Sequence, residues 1–273
     1  MSGKANGDVH HLDHFVVAVM EPDRAEKFFT EVLGAYTLKS ENEPKMTRIF
    51  MKLGDNHIGL FSQGSNKLPD RQSVNSYPRH SFQVPEAEYD GMAQRIRQAS
   101  GFVRELKSEA GAGCCWNDGL VFQDSEGNFW EITKTAGIAK TRLHHLHFDS
   151  TDIGASVDFY QRFMNCTVKS QTGTMAEIVV PSGQNVIVNQ VGDLSEVTKA
   201  TWRGRHFAFY VKDPDFHAIV DKLHVAGIEE RDDHGERAGR KPGALGTYFR
   251  EPSGFRIQIT NEDSATFAAH AND

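Results

Sequence analysis

The sequence predicts an α+β chain in which four units, each reading strand, helix and then three strands, form two tandem domains. Three observations carry that expectation. The stretch from Leu12-Asp13-His14 to Phe28-Phe29 recurs as Leu143-His144-His145 to Phe159-Tyr160. Four amphipathic helix patterns each run out at a glycine or an asparagine, the residues that best accept the left-handed turn closing a helix. Matching positions are nearly equally spaced, 131 residues from His14 to His145, 126 from His80 to His206 and 127 from Gly127 to Gly254. Residues 142–261 therefore repeat residues 11–134 as a whole.

The first unit opens with a strand at His11–Val19 and a helix at Pro22–Leu33, where Ala25, Phe28, Phe29, Val32 and Leu33 share one face and Gly34 is the stop. Strands are expected at Tyr36–Ser40, Thr47–Leu53 and, after a turn at Gly54-Asp55-Asn56, at His57–Gln63. A polar segment at Gly64–Pro78 reads as a linker. The second unit has a strand at Arg79–Val84, a helix from Tyr89 to Ser100 before Gly101, strands at Val103–Ser108 and Leu120–Gln123, a turn at Asp124–Asn128 and a last strand at Phe129–Lys134. A small-residue joint at Thr135–Thr141 leads to the third unit, whose helix carries Ile153, Val157, Tyr160 and Met164 and ends at Asn165. The fourth has a strand at His206–Val211, a helix bearing Phe216, Ile219, Val220 and Leu223 before Gly227, and a turn at Glu251–Gly254 before Arg256–Thr260. These limits give domains at residues 1–136 and 137–273.

With 273 residues, 38% of them apolar, the chain can bury proper cores. No apolar run approaches the ~20 residues of a membrane span, and the polar start at Met1–Asp8 lacks a signal pattern, so a cytoplasmic protein with no membrane partner is expected. A net charge of −7 without a basic stripe argues against a nucleic-acid groove and for a small-molecule ligand. Three cysteines, Cys114 and Cys115 among them, make no disulfide framework. The cluster Trp116-Asn117-Asp118 reads equally as a pocket wall or a hairpin tip. In His144-His145-x-His147, alternation sends His145 and His147 to one face and His144 to the other; His147 is expected to line the site rather than to bind a metal.

The order of elements, with Leu-Asp-His on the first strand and Asp-x-x-Gly-Asn-x-x-Glu (Asp124 to Glu131) on the last, resembles the vicinal oxygen chelate superfamily of glyoxalases, bleomycin resistance proteins and extradiol ring-cleaving dioxygenases. The resemblance implies four βαβββ modules forming two tandem cupped mixed-sheet domains, most like the two-domain extradiol enzymes. It further implies metal ligands on the first and last strands of paired modules. In the first domain those positions are His14, Gly59, His80 and Glu131, which makes His14, His80 and Glu131 the expected metal site. In the second they are His145, Ile187 or Val188, His206 and Gln258, a degenerate set because glutamine is a poor ligand for a divalent cation. Two imidazoles and a carboxylate on one face of a metal leave the other face for substrate and oxygen, the arrangement of non-haem Fe(II) oxygenases.

The resemblance thus implies an extradiol dioxygenase using Fe(2+), with Mn(2+), Zn(2+) or Ni(2+) as alternatives, and a catechol-like aromatic and dioxygen as its partners; open sheet edges leave room for a homo-oligomer. The ring-cleaving enzymes also carry a proton-handling histidine and tyrosine near the end of the active domain. Here Val121 stands at the tyrosine position in the first domain; in the second, Tyr248 is kept but Lys241 falls near the histidine position. A redox-neutral glyoxalase-like isomerase, lyase or thiol transferase, or a small-molecule-sequestering resistance protein, are the other readings.

Overall fold

A computed structural model describes residues 7–43, 46–62, 79–106, 118–194, 206–230 and 246–261. Cys114, Cys115, Trp116, Asn117, Lys241 and the linker at Gly64–Pro78 lie outside them. The first unit comprises β1 (His11–Val19), α1 (Pro22–Phe28), β2 (Tyr36–Glu43), β3 (Met46–Leu53) and β4 (Asn56–Ser62). The second comprises β5 (Arg79–Pro85), α2 (Glu86–Ala99), β6 (Val103–Leu106), β7 (Gly119–Gln123) and β8 (Phe129–Thr135). The third has β9 (Arg142–Ser150), α3 (Ile153–Met164), β10 (Thr167–Gln171), β11 (Met175–Val179) and β12 (Asn185–Gln190). The fourth has β13 (His206–Tyr210), α4 (Asp213–Val225), β14 (Gly246–Arg250) and β15 (Arg256–Thr260). The fold is the α+β arrangement of repeated modules with mixed sheets that the pattern predicts.

The helix ends follow local chemistry. Pro22 occupies the first turn of α1, where its missing N–H costs nothing, and the helix runs on into a π-turn at Phe29–Leu33 that closes on Gly34 at φ 77°. Asn165 closes α3 at φ 51°. Helix α1 has no side-chain cap of its own. The Glu126 carboxylate, from the turn of the second unit, accepts hydrogen bonds from the Met20 and Glu21 amides at 2.6 and 3.2 Å and pairs with Arg24 at 2.7 Å.

Edge pairing joins the units in an order the repeat does not suggest. One sheet runs β14-β15-β13-β1-β4-β3-β2 and the other β10-β11-β12-β9-β5-β8-β7-β6. The junctions are antiparallel, β1 with β13 and β5 with β9. Each sheet therefore takes one module from each half of the chain, the first with the fourth and the second with the third. Within each half the other sheet faces are packed together: Phe15 lies 6.0 Å from Phe82 and 5.9 Å from Trp130, and Phe148 lies 5.8 Å from Phe207 and 5.3 Å from Phe255. Each fully buried aromatic of this kind stabilises by about 1.5–3 kcal/mol. Module cores thus form within each half, while the faces pointing away from those cores are shared between halves. Among the described residues no helix is long and apolar enough to cross a membrane.

Candidate metal centre

In the eight-stranded sheet Phe82, Val84, Trp130, Ile132, Leu146 and Phe148 belong to the core, so strand alternation turns Ser81, Glu131, His145 and His147 to the opposite face. The register places Ser81 of β5 between Glu131 of β8 and His145 of β9. Across that narrow span His145 Nε2 is 3.7 Å from Glu131 Oε2. One ligand atom from each of Glu131, His145 and His147 lies within 4.8 Å of the others. All three side chains are buried, at 0, 1 and 2% exposure.

The polar atoms here have few partners. Glu131 Oε1 accepts a hydrogen bond from Arg79 Nε; Ser81 lies beside Glu131 and Asn189 beside His147, but neither is aligned to satisfy Glu131 Oε2 or the His147 ring. Leaving buried polar atoms unsatisfied costs about 1–3 kcal/mol each, and a divalent cation between them is the partner their chemistry fits. Burial, reinforced by neighbouring cations including Arg79, holds His145 and His147 well below the ordinary imidazole range, so both present neutral nitrogens. Burial raises the Glu131 carboxyl, and the Arg79 guanidinium opposes that shift. His144 does not follow simple alternation. A bulge between Ser81 and Phe82 in the β5–β9 register leaves its Nδ1 3.0 Å from that of His145.

Of the residues expected to share a metal, Glu131 is in this group and His14 and His80 are not. His14 lies in the seven-stranded sheet, where its Nδ1 meets Asp13 Oδ2 at 2.6 Å and its ring is 5.6 Å from that of His206. His80 is in β5 but points to the core side, its ring 5.0 Å from Phe15 and 5.7 Å from Trp130. The corner expected for His80 belongs to Arg79. A shift of one residue along a strand exchanges its faces, and the signal was in the spacings: Glu131 to Gln258 and Gly127 to Gly254 are both 127, which pairs His206 with Arg79. The histidines that complete the set are His145, assigned above to a degenerate site, and His147, assigned to the lining. Ile187, paired with His147 across β12 and β9, closes the remaining corner with an apolar side chain.

The same shifts fix how stability depends on pH. Folded-state values depressed by burial at His144, His145, His147 and His206 mean that below about 6.5 the unfolded chain takes up protons the native one refuses. Each such histidine removes up to about 1.4 kcal/mol of stability per pH unit in that range. Glu131 and Glu251, raised by burial, act with the opposite sign from about 4.5 upward, but they are two against four. The melting temperature of chelator-treated protein is expected to be level between pH 7 and 8 and to fall from pH 6.5 to 5.5; an unchanged or higher value at pH 5.5 would refute the assignment of buried neutral histidines.

A family model described as the Glyoxalase/Bleomycin resistance protein/Dioxygenase superfamily matches residues 11–132 and 142–259. A sequence search of curated proteins finds no match. Among solved structures, a proposed dioxygenase from Bacillus subtilis subsp. subtilis str. 168 superposes with a TM-score of 0.69 at 15% identity, covering 96% of this chain and 90% of its own. Glyoxalase I from Zea mays superposes with a TM-score of 0.66 at 15% identity, covering 96% and 95%. At such identity these likenesses show the fold. With both repeats matched across most of their length, the chain belongs to the glyoxalase, bleomycin resistance protein and dioxygenase superfamily.

Proposed function

We propose that the protein is a metal-dependent dioxygenase of extradiol type acting on a catechol-like substrate, with Glu131, His145 and His147 holding the metal. The observation that carries this reading is the buried group of two imidazoles and one carboxylate whose ligand atoms converge within 4.8 Å, the donor set suited to Fe(2+) with open coordination positions. When bound, such a cation would lower the pKa of the substrate hydroxyls and bring ring and dioxygen together.

The remaining tasks fall to this chain. Arg79 holds Glu131 by one oxygen and leaves Oε2 for the metal. Its charge favours a substrate that has lost a proton. Val121, directly across from Glu131, packs with Phe129, Phe102 and Leu106 in a small apolar cluster. That cluster offers a wall for an aromatic ring beside the polar group and helps exclude water from it.

A second reading rests on Val121 itself, which cannot handle protons where the resembling ring-cleaving enzymes have a tyrosine. It makes the protein a redox-neutral glyoxalase-like isomerase, lyase or thiol transferase in which Zn(2+), Ni(2+) or Mn(2+) serves as a Lewis acid. Anaerobic reconstitution with Fe(2+), followed by oxygen and a panel of catechols, separates the two. Oxygen uptake with a yellow ring-opened product is expected. Its absence, together with turnover that persists without oxygen, would favour the second reading.

A further inference from the structure

The seven-stranded sheet has its own polar face, and its chemistry is the reverse of the one described above. Phe207, Phe209, Ile257 and Ile259 belong to the core, so His206, Arg256 and Gln258 point away from it. Among the described residues no group of three metal-donor side chains forms on this face. Gly59 supplies no ligand at its corner, and a Cβ there would come within 2.7 Å of Val16 and 2.9 Å of Phe61, so the corner cannot readily gain one.

What does form is an arc of rings flanked by cations. Arg48 lies 5.7 Å from the Phe61 ring centre, Phe61 is 6.2 Å from His206, His206 is 5.3 Å from Tyr248, and Arg256 stacks 3.9 Å over Tyr248. The β13–β15 register, which pairs Phe207 with Ile257, brings the Arg256 charge close enough to act on His206. Two carboxylates of this sheet are held by basic partners, Asp13 by His14 at 2.6 Å and Glu41 by Arg48 at 3.7 Å. His206 is 3% exposed and lies beside Gln258, which can engage one of its ring nitrogens, but neither that side chain nor any other is aligned to satisfy the imidazole fully.

We propose that this face binds an aromatic carboxylate without any metal, its carboxylate taken by His206 and Arg256 and its ring laid against Phe61. A guanidinium fork and an imidazole N–H match the two in-plane oxygens of a carboxylate. A phosphate, with a third oxygen and more charge, would ask for more donors than this pair provides. Rings at these separations favour a flat apolar partner through edge-to-face and stacked contacts. The proposal is independent of the reaction assigned to the eight-stranded sheet.

Calorimetric titration of the full chain with benzoate tests it, with and without EDTA, and in Glu131→Gln, His206→Phe and Arg256→Met variants. Benzoate is expected to bind equally well in EDTA and in Glu131→Gln. His206→Phe, which keeps the ring, should weaken binding by about tenfold or more, the loss expected for a hydrogen bond to a charged group. Benzyl alcohol, cyclohexanecarboxylate and inorganic phosphate should bind much more weakly than benzoate. Failure of benzoate to bind would overturn the proposal. So would its loss in EDTA or in Glu131→Gln, which would place it on the other face, or binding unaffected by His206→Phe in a folded protein. Phosphate binding as tight as benzoate would overturn the carboxylate assignment. Arg256→Met, if folded, must weaken benzoate in the same sense.

Discussion

Glu131→Gln should leave the protein folded while removing bound metal and lowering kcat/KM by on the order of 100-fold or more. Outer partners of metal ligands alone are worth about 10–100-fold in affinity or activity, and Glu131 is the single anionic donor in the group of Glu131, His145 and His147. Glutamine keeps the shape of the side chain and an oxygen able to accept the hydrogen bond from Arg79, but it removes the negative charge. Two neutral imidazoles and an amide oxygen form a weak set for a divalent cation.

The competing effect is on stability, because the substitution deprives Arg79 of its ionic partner, and breaking a buried pair costs about 3–5 kcal/mol at worst. The Arg79 side chain retains 13% exposure and an acceptor, which keeps the loss below that limit. Elemental analysis and a thermal melt on the same preparation separate the two effects. Metal at full stoichiometry in a folded Glu131→Gln protein would reject this centre.

The layout of the fold is largely legible in the sequence. Gly34, Asn165 and Gly227 at the helix ends and Gly127 and Gly254 in the turns take left-handed backbone as the pattern asks, whereas α2 ends on Ser100 in extended backbone, before the expected stop at Gly101. The pairing of modules was not legible. The first strands β1, β5, β9 and β13 are all apolar segments with an open edge, and nothing in their side chains says which edge meets which. Whether β5 pairs with β1 or with β9 decides which histidines can approach Glu131, so the sequence pattern attaches the donor chemistry to imidazoles that lie apart from Glu131 in the structure. The second loss came from register. Arg-His at both Arg79-His80 and Arg205-His206 invites alignment of the histidines, but the core positions Val84 and Val211, 127 residues apart, require His206 to match Arg79. The third came from a spacing of two: His145-x-His147 places two imidazoles on one strand face, as the alternation indicated, and because that face holds Glu131 both are candidate ligands.

His147 and His80 are therefore expected to behave in opposite ways. His147→Leu should abolish metal binding, because no other imidazole in the group can replace it. In metal-free protein the same substitution should raise the melting temperature. Both nitrogens of His147 are buried and poorly satisfied, Asn189 lying beside the ring without being aligned to it, and replacing such a group by an apolar one of similar size relieves about 1–3 kcal/mol, several degrees in a chain of this length. A histidine kept for packing would show the reverse, loss of stability with metal unchanged. His80→Phe, by contrast, should leave metal content as it is, since that ring sits against Phe15 and Trp130 on the far side of the sheet. His14→Ala should likewise leave metal bound, its strand belonging to the other sheet. If His80→Phe or His14→Ala empties the site while His147→Leu does not, the metal is held by the imidazoles that the order of the chain alone suggests, and the face shared by β8 and β9 has another use. The sign of the His147→Leu stability change decides between a ligand and a packing residue, because only a side chain retained for a partner missing from the apo protein gains stability on losing its polar atoms.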